Sequence, residues 1–313
     1  MRRRVAAGGR FPYRDVYGPD VIPAAMARRV VVAGRRSFEY VSQGKGPATL
    51  LVHSGGPGLT YHYLRNLLKL ANSNLRVVLF NPRGVGHSWA PKSPSDYTVP
   101  QQAEDVEAIR RALKIKELHL LGYSAGGWVG LEYAHRYERN LTSLLLCATS
   151  GSAEETRQAL RMMLAVAPPK QKARLRELTK LGAFQTKEYK ELTETIQWQF
   201  QSRFLKGMPK DLKATKLSEA VYRSMLTRKG DEFAIDGTFA RWDGRKYYSK
   251  IEVPSLIVVG RYDYFLNSSV EMAERIEPAH LRVLPHSSHM EILEQPKEFL
   301  GTIREFLVDV TGG

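Results

Sequence analysis

Ser124, a serine set between glycines, is the residue of this sequence best placed to do chemistry. The segment Gly122–Gly126 reads Gly-Tyr-Ser-Ala-Gly, follows the apolar run Leu118–Leu121 and precedes a helical pattern. The G-x-S-x-G pattern needs this order of strand, sharp turn and helix, because the turn presents the serine hydroxyl at a helix N-terminus. We therefore expect Ser124 to be a nucleophile.

A serine hydroxyl needs a neighbouring base, and that base needs an orienting acid. In this context the acid and then the base follow the serine along the chain. Asp263 lies just past the apolar run Ser255–Val259, and two histidines, His286 and His289, follow the run Leu281–Leu284. We favour His289 as the base because a helical pattern begins directly after it. The alternatives are a turn or cap residue for Asp263 and a loop position for His286.

A glycine-rich loop after another predicted strand can complete the site with an oxyanion hole. Residues His53–Gly58 read His-Ser-Gly-Gly-Pro-Gly and follow an apolar run that ends at Val52. Backbone N–H groups from this loop and from Ala125 would stabilise the developing oxyanion, at about 3 kcal/mol per donor. We assign Gly56 as the loop donor, with Gly55 as the alternative. A tight turn without a catalytic part is the other interpretation of the loop.

Eight apolar or β-branched runs predict the strands that must position these residues. In the first half of the chain they alternate with helical patterns, which is typical of a mostly parallel sheet covered on both faces. The predicted fold is therefore an α/β-hydrolase fold, with an eight-stranded, mostly parallel sheet flanked by helices. The eight runs are Arg28–Val32, Phe38–Ser42, Ala48–His53, Arg76–Phe80, Leu118–Tyr123, Leu144–Ala148, Ser255–Val259 and Leu281–Leu284.

The alternation of strands and helices stops at about residue 151 and returns at about residue 246. Between these points the sequence is charged and helical in period, with few strand signals. We predict a helical cap over residues 151–245, inserted into an α/β core of residues 28–150 and 246–313. Such an insertion lies over the strand ends, where open α/β sheets bind ligands. Residues 1–27 form a predicted basic arm.

The net charge of +15 is concentrated in two segments of the 313-residue chain. Residues 1–36 hold nine Arg and two Asp, and residues 151–250 hold 21 Lys and Arg against 12 Asp and Glu. One interpretation is solubility with weak attraction to polyanions, and the other is a nucleic-acid surface. Because no recognised nucleic-acid motif appears and acids alternate with the bases, we expect no specific nucleic-acid partner.

Several absences from the sequence narrow the class of protein further. A single cysteine excludes an intrachain disulfide and favours a reducing compartment, so we expect a cytoplasmic protein. No apolar run reaches the roughly 18 residues of a membrane span, and no secretory signal pattern is present. Because no metal-ligand spacing or dinucleotide fingerprint occurs, we expect no cofactor and no metal. Nothing in the sequence fixes an oligomeric state.

Several segments together resemble the α/β-hydrolase prolyl aminopeptidases (proline iminopeptidases), most closely the archaeal tricorn-interacting aminopeptidase. The resemblance covers about residues 30–310. It implies a helical cap, a triad of Ser124, Asp263 and His289, and the release of N-terminal residues from short peptides. The matching segments are Ser54–Gly58 (family H-G-G-P-G), Asn81–Ser88 (family D-x-R-G-x-G-x-S), Asp231–Phe233, Gly237-Thr238, Trp242-Asp243, Val253-Pro254, Gly260–Asp263 and Ser288-His289.

Departures from the family pattern bear on the substrate. The chain has Ser54 where the family has His, and Asn81 where it has Asp. The family holds the α-ammonium of its substrate with acidic residues, one of which matches Glu232. The other would directly follow Asp263, and here that residue is Tyr264. A buried ammonium needs paired charge, so the loss of one carboxylate favours a neutral substrate. A carboxylate at the cap edge, paired with a neighbouring cation, is the alternative role of Glu232.

Three hypotheses for the function follow. The first is a serine aminopeptidase or amidase that acts on small molecules or short peptides through an acyl-enzyme. The second is an esterase or lactonase for small neutral acyl compounds, and the third is a non-enzymatic binding protein, which a missing triad residue would support. Trp198 and Trp242 are candidate apolar residues of the substrate pocket, with packing inside the cap as the alternative.

Overall fold

One eight-stranded sheet forms the centre of the computed structural model, which describes residues 29–311. The predicted basic arm at residues 1–27 lies outside the described residues. The strand order is β1-β2-β4-β3-β5-β6-β7-β8; β3 to β8 run parallel to one another, whereas β2 is antiparallel to its neighbours β1 and β4. The predicted eight-stranded, mostly parallel sheet is therefore confirmed. The strands are β1 (Arg29–Ala33), β2 (Arg36–Gln43), β3 (Ala48–His53), β4 (Leu75–Phe80), β5 (Leu118–Tyr123), β6 (Leu141–Cys147), β7 (Ser255–Gly260) and β8 (Ala279–Leu284).

Helices fill the connections between the strands and cover both faces of the sheet. Within the described residues, no helix is long and apolar enough to cross a membrane. The α-helices are α1 (Val99–Ala112), α2 (Ala125–Tyr137), α3 (Ala153–Val166), α4 (Pro169–Lys180), α5 (Lys187–Gln201), α6 (Lys210–Ala214), α7 (Glu219–Met225), α8 (Leu266–Arg275), α9 (Glu291–Glu294) and α10 (Pro296–Thr311). Short 3-10 helices span Tyr61–Leu70, Pro94–Asp96, Glu138–Asn140, Thr238–Arg241 and Arg245–Lys250.

Two buried apolar clusters cover the two faces of the sheet. Successive strand residues point to opposite faces, and neighbours such as Leu120 and Leu121 accordingly belong to different clusters. The cluster of Leu120 includes residues of α1, α2 and α8, whereas that of Leu121 includes residues of α10 and of the 3-10 helix Tyr61–Leu70. Burial on both faces explains why the central strands are almost continuously apolar in sequence.

The parallel strands bring three separated segments of the chain to one edge of the sheet. Ser124 directly follows β5, Asp263 lies three residues after β7, and His289 lies on the loop after β8. Parallel strands end at the same edge, so these side chains converge although up to 165 residues separate them along the chain. β6 lies between β5 and β7, and the carbonyl of its last residue, Cys147, accepts the Ser124 N–H at 2.8 Å.

Helices α3 to α7 lie between β6 and β7 in the chain, inside the predicted cap of residues 151–245. Backbone hydrogen bonds join this segment to loops at the carboxyl edge of the sheet. The Ser218 N–H donates to the Gly58 carbonyl at 2.9 Å, and the Arg203 N–H donates to Ser288 Oγ at 2.9 Å. The segment therefore contacts both the glycine-rich loop and the loop that carries His289.

The turn at residues 81–88 fixes the connection after β4 through one buried arginine. The guanidinium of Arg83 donates to Asp105 Oδ2 at 2.5 Å, to the Asp96 carbonyl at 2.6 Å and to the Gln101 carbonyl at 2.7 Å. The Arg83 side chain is 4% exposed and that of Asp105 is 2% exposed. This arginine therefore ties the turn to α1 and satisfies backbone carbonyls around the start of that helix.

We expect the substitution Arg83→Met to lower the free energy of unfolding by about 3 kcal/mol, because it leaves a buried carboxylate without its closest partner. Urea unfolding followed by circular dichroism measures the change. The matched control is Arg174→Met, which removes an exposed ion pair with Glu188 and should have a much smaller effect. Equal effects of the two substitutions would contradict this account of the turn.

Candidate active site

Ser124 lies at a sharp turn that the surrounding glycines make possible. Its backbone is left-handed, with a φ of +53°, which is uncommon for a residue with a side chain. A Cβ added at Gly126 would lie 2.3 Å from the His53 carbonyl oxygen, and one at Gly122 would lie 2.3 Å from the Gly126 oxygen. Only glycine fits at these two positions, so the strand and helix can approach closely enough to present Ser124 above the sheet.

The three residues predicted to form a triad are hydrogen-bonded in a row. His289 Nε2 lies 3.0 Å from Ser124 Oγ, and His289 Nδ1 lies 3.0 Å from Asp263 Oδ2. Asp263 and His289 are buried, and the other carboxylate oxygen of Asp263 accepts the Phe265 N–H at 2.8 Å. His286 is exposed and lies beside Phe204, so the structure joins His289, rather than His286, to the serine.

Tyr264, the residue after the acid, stacks on the imidazole. The ring centroids of Tyr264 and His289 are 4.5 Å apart, with an angle of 23° between the planes. Burial, together with the nearby charge of Asp263, raises the pKa of Tyr264 well above its ordinary value. The tyrosine therefore stays neutral and confines the imidazole ring from one face.

Among the described residues, two backbone N–H groups beside Ser124 have no hydrogen-bond acceptor. Ala125 is the first residue of α2, where a helix provides no intrahelical partner for the N–H. Gly56 borders the same cavity as Ser124, and within residues 29–311 no hydrogen bond occupies its N–H. The alternative donor, Gly55, already donates to Tyr63 Oη at 2.7 Å. The geometry therefore favours Gly56 and Ala125 as the pair that faces a reacting carbonyl.

A cavity of about 90 Å³ opens above Ser124. Its polar lining includes Gln197, Gln201, Tyr222 and Glu232, which come from α5, α7 and the segment after α7. Glu232 is the one carboxylate among the cavity-lining residues of the described chain. The apolar part of the lining consists of Trp128, Ala159, Leu160, Met163, Leu226, Ala234, Ile235 and Phe265.

Glu232 faces this cavity and is held there by phenols. Its Oε2 accepts the Tyr222 hydroxyl at 2.6 Å, and its backbone N–H donates to Tyr189 Oη at 2.9 Å. Burial raises the pKa of Glu232, although the Tyr222 hydrogen bond and the charge of Arg223 act in the opposite direction. In residues 29–311 no cation lies within ion-pair distance of it, so the described structure gives no direct partner for the alternative role as a paired carboxylate at the cap edge.

The two tryptophans predicted to line the pocket do not border it. Trp242 donates its indole N–H to Glu132 Oε2 at 3.0 Å and stacks on Phe239. Trp198 lies on α5, but the residues of that helix that reach the cavity are Gln197 and Gln201. These two are four residues apart and share one helix face, whereas Trp198 is turned about 100° away from Gln197. The sequence patterns did not predict that Gln197, Gln201 and Tyr222 line the cavity. The spacing of four residues between the two glutamines, which places them on one helix face, is the one sequence signal that could have indicated them.

Comparison with known proteins places this geometry in a family. The α/β-hydrolase fold family matches residues 48–296. A proline iminopeptidase from Saccharolobus solfataricus is 32% identical over 274 residues, which cover 87% of this chain and 88% of the relative. The chain belongs to the proline iminopeptidase family of α/β hydrolases, and it is a hydrolase. A second relative in the family, from Thermoplasma volcanium, is 28% identical over 83% of this chain and 88% of its own length.

Solved structures agree with this family assignment. A proline iminopeptidase from Mycobacterium smegmatis superposes with a TM-score of 0.80 at 25% identity, covering 91% of this chain and 98% of that one. An enol-lactonase from Burkholderia xenovorans superposes with a TM-score of 0.62 at 22% identity, covering 90% of this chain and 100% of that one. The second likeness shows the fold alone. The resemblance deduced from the sequence motifs is therefore confirmed.

Proposed function

We propose that this hydrolase is a serine aminopeptidase that releases a small N-terminal residue from short peptides or from small amides. The observation that carries the proposal is the position of Glu232, whose carboxylate lines the same small cavity as Ser124. A carboxylate in a largely apolar cavity is a costly feature, and the ammonium group of a substrate would compensate for it. The family to which the chain belongs supports the same substrate class.

In the proposed mechanism Ser124 is the nucleophile. Its Oγ attacks the substrate carbonyl while His289 Nε2 takes the hydroxyl proton, and Asp263 stabilises the resulting imidazolium. The N–H groups of Gly56 and Ala125 donate to the oxyanion. His289 then gives its proton to the leaving amine, and an ester between Ser124 and the acyl group remains. Water attacks this ester with His289 again as the base, which releases the acid and restores the serine.

Glu232 and Tyr222 would bind the amino end of the substrate. The ionised carboxylate of Glu232 attracts an ammonium, and the Tyr222 hydroxyl, 2.6 Å away, holds the carboxylate in place. Tyr264, at the position where the family has a second acid, offers a neutral ring instead. Gln197 and Gln201 also line the cavity, and an amide side chain can accept a hydrogen bond from an ammonium without adding charge.

We expect Glu232→Gln to lower kcat/KM for L-proline p-nitroanilide by about 30-fold or more, mainly through KM, because it removes the charge that pairs with the substrate ammonium. Hydrolysis of p-nitrophenyl acetate, which has no ammonium, should change by less than about threefold. The matched control is Glu194→Gln, at an exposed position of α5. An equal loss with both substrates would contradict a role for Glu232 in binding the amine.

A second candidate function is an esterase or lactonase for small neutral acyl compounds. Tyr264 favours it, because this residue replaces the second carboxylate that an ammonium would need, and because most of the cavity lining is apolar. Turnover of p-nitrophenyl esters without any hydrolysis of aminoacyl arylamides would decide for this alternative. Hydrolysis of the proline arylamide that depends on Glu232 would decide for the aminopeptidase.

A further inference from the structure

The carboxyl group of Glu291 lies close to the triad but has no part in the proposed chemistry. It is fully buried and lies two residues after His289, at the start of α9. Its Oε1 accepts the Gly260 N–H at 2.9 Å, and its Oε2 lies 2.5 Å from Tyr123 Oη. Gly260 ends β7 and Tyr123 ends β5, next to Ser124. One side chain therefore joins the ends of the strands that carry the nucleophile and the acid.

The hydroxyl of Tyr123 lies near two oxygens but has one proton to donate. Besides Glu291 Oε2, it lies 2.8 Å from the carbonyl oxygen of His289. If Glu291 were ionised, the phenol could serve only one of the two acceptors. If Glu291 carries a proton on Oε2, it donates to Tyr123 Oη, and Tyr123 donates to the His289 carbonyl. Only this second arrangement satisfies every buried group.

The surroundings of Glu291 also favour its neutral form. Burial raises its pKa well above the ordinary value, and the negative charge of Asp263 raises it further. Hydrogen bonds from Tyr123 and from the Gly260 N–H act in the opposite direction but do not outweigh these effects. Among residues 29–311, the titratable groups that face it, apart from the imidazole of His289, are one acid, three phenols and a thiol: Asp263, Tyr123, Tyr63, Tyr264 and Cys147.

The loop that carries His289 packs directly against the end of β7. A Cβ added at Gly260 would lie 2.2 Å from the Ser288 carbonyl oxygen, and the Tyr262 N–H donates to the Ser287 carbonyl at 3.0 Å. Small movements of this backbone would therefore change the position of the imidazole relative to Ser124 and Asp263. The hydrogen bond from Tyr123 to the His289 carbonyl restrains that movement.

We propose that Glu291, in its protonated form, is a positioning residue that directs the Tyr123 hydroxyl onto the His289 carbonyl and so fixes the imidazole beside Ser124. This inference rests on the proposed triad but not on the choice between amide and ester substrates. Glutamine is the conservative replacement, because its amide group can donate to Tyr123 and its carbonyl can accept from Gly260. Leucine has similar bulk and can do neither.

The first test measures the hydrolysis of p-nitrophenyl acetate at pH 7. It uses variants whose circular dichroism spectrum matches that of the unchanged protein, so that only folded variants are compared. Glu291→Gln should keep kcat within about threefold, whereas Glu291→Leu and Tyr123→Phe should lower it by about tenfold to hundredfold with little change in KM. A loss with Gln as large as with Leu would overturn the proposal, because it would show that a charged carboxylate is needed.

The second test measures the protonation state through stability and needs no activity. In the unfolded chain Glu291 loses its proton near its ordinary pKa of 4.5, whereas burial and the charge of Asp263 raise that pKa in the folded protein, so the native state binds more protons above pH 4.5. Glu291 therefore destabilises the native state increasingly as the pH rises from 5 to 8. The free energy of unfolding of Glu291→Gln should rise relative to the unchanged protein over this range. A constant difference would overturn the proposal.

Ser124→Ala separates a failure of this inference from a failure of the proposed function. If Ser124→Ala still hydrolyses p-nitrophenyl acetate at the rate of the unchanged protein, the proposed function is wrong. If Ser124→Ala is inactive while Glu291→Leu and Tyr123→Phe turn over normally, the triad stands and only the positioning role of Glu291 is refuted.

Discussion

The substitution Ser124→Ala is expected to lower kcat by about 10⁵- to 10⁶-fold, with little change in substrate affinity. It removes one oxygen, the atom 3.0 Å from His289 Nε2, and no acyl-enzyme can form without it. The oxyanion donors and the cavity remain, so a small residual acceleration over water should persist. Because only the side-chain oxygen is lost, binding of an uncleaved substrate analogue should be unchanged.

The measurement compares kcat for L-proline p-nitroanilide and p-nitrophenyl acetate, with the dissociation constant of a competitive inhibitor as the test of binding. Ser73→Ala, at an exposed position before β4, is the control for the same chemical change elsewhere. A loss of less than about 100-fold with both substrates would contradict a nucleophilic role of Ser124.

The second large effect is expected from Asp263→Asn, which should lower kcat by about 10⁴-fold. The Phe265 N–H donates to Asp263 Oδ1 at 2.8 Å, so the carbonyl oxygen of an asparagine would keep that position. Its NH₂ group would then face His289 Nδ1 and require this nitrogen to act as an acceptor. The imidazole proton would move to Nε2, which could no longer take the proton of Ser124.

Steady-state kinetics at pH 7 measure this effect, and Asp309→Asn, at an exposed position of α10, is the matched control. The Michaelis constant should change little, because Asp263 is not among the residues that line the cavity. If Asp263→Asn retained more than about a tenth of the activity, another group would have to orient His289.

The sequence could indicate the triad because topology constrains it. Each of Ser124, Asp263 and His289 follows an apolar run, and parallel strands end at one edge of the sheet. The helical pattern that begins directly after His289 then favoured this residue over His286 as the base. The strand order, with β4 between β2 and β3, depends on pairing between distant segments, which no local pattern records.

The start of β6 was predicted too late because a polar residue is buried there with a polar partner. β6 begins at Leu141, three residues before the predicted run, because Ser143 is buried and its Oγ lies 2.8 Å from His119 Nδ1 on the adjacent strand. A serine whose hydroxyl has such a hydrogen-bond partner can be buried inside the sheet in the same way as an apolar residue. The hydrophobic pattern alone could not show that, since the partner lies 24 residues away.

The cavity was less predictable than the triad, because it depends on how helices are rotated and packed. Trp198 and Gln197 are adjacent in sequence, yet only the glutamine borders the cavity. Similarly, Glu291 is visible in the sequence as an acid two residues after His289. Its burial and its contacts with Tyr123 and Gly260 follow only from the packing of three strand ends.

Covalent labelling of Ser124 tests the central claim most directly. The protein is treated with a fluorophosphonate at pH 7, and the modified residue is located by mass spectrometry of proteolytic peptides, with Ser124→Ala and His289→Ala treated in parallel. We predict one adduct per chain, on Ser124, absent from Ser124→Ala and formed far more slowly in His289→Ala. An unlabelled protein, or an adduct on another residue that persists in Ser124→Ala, would contradict the account.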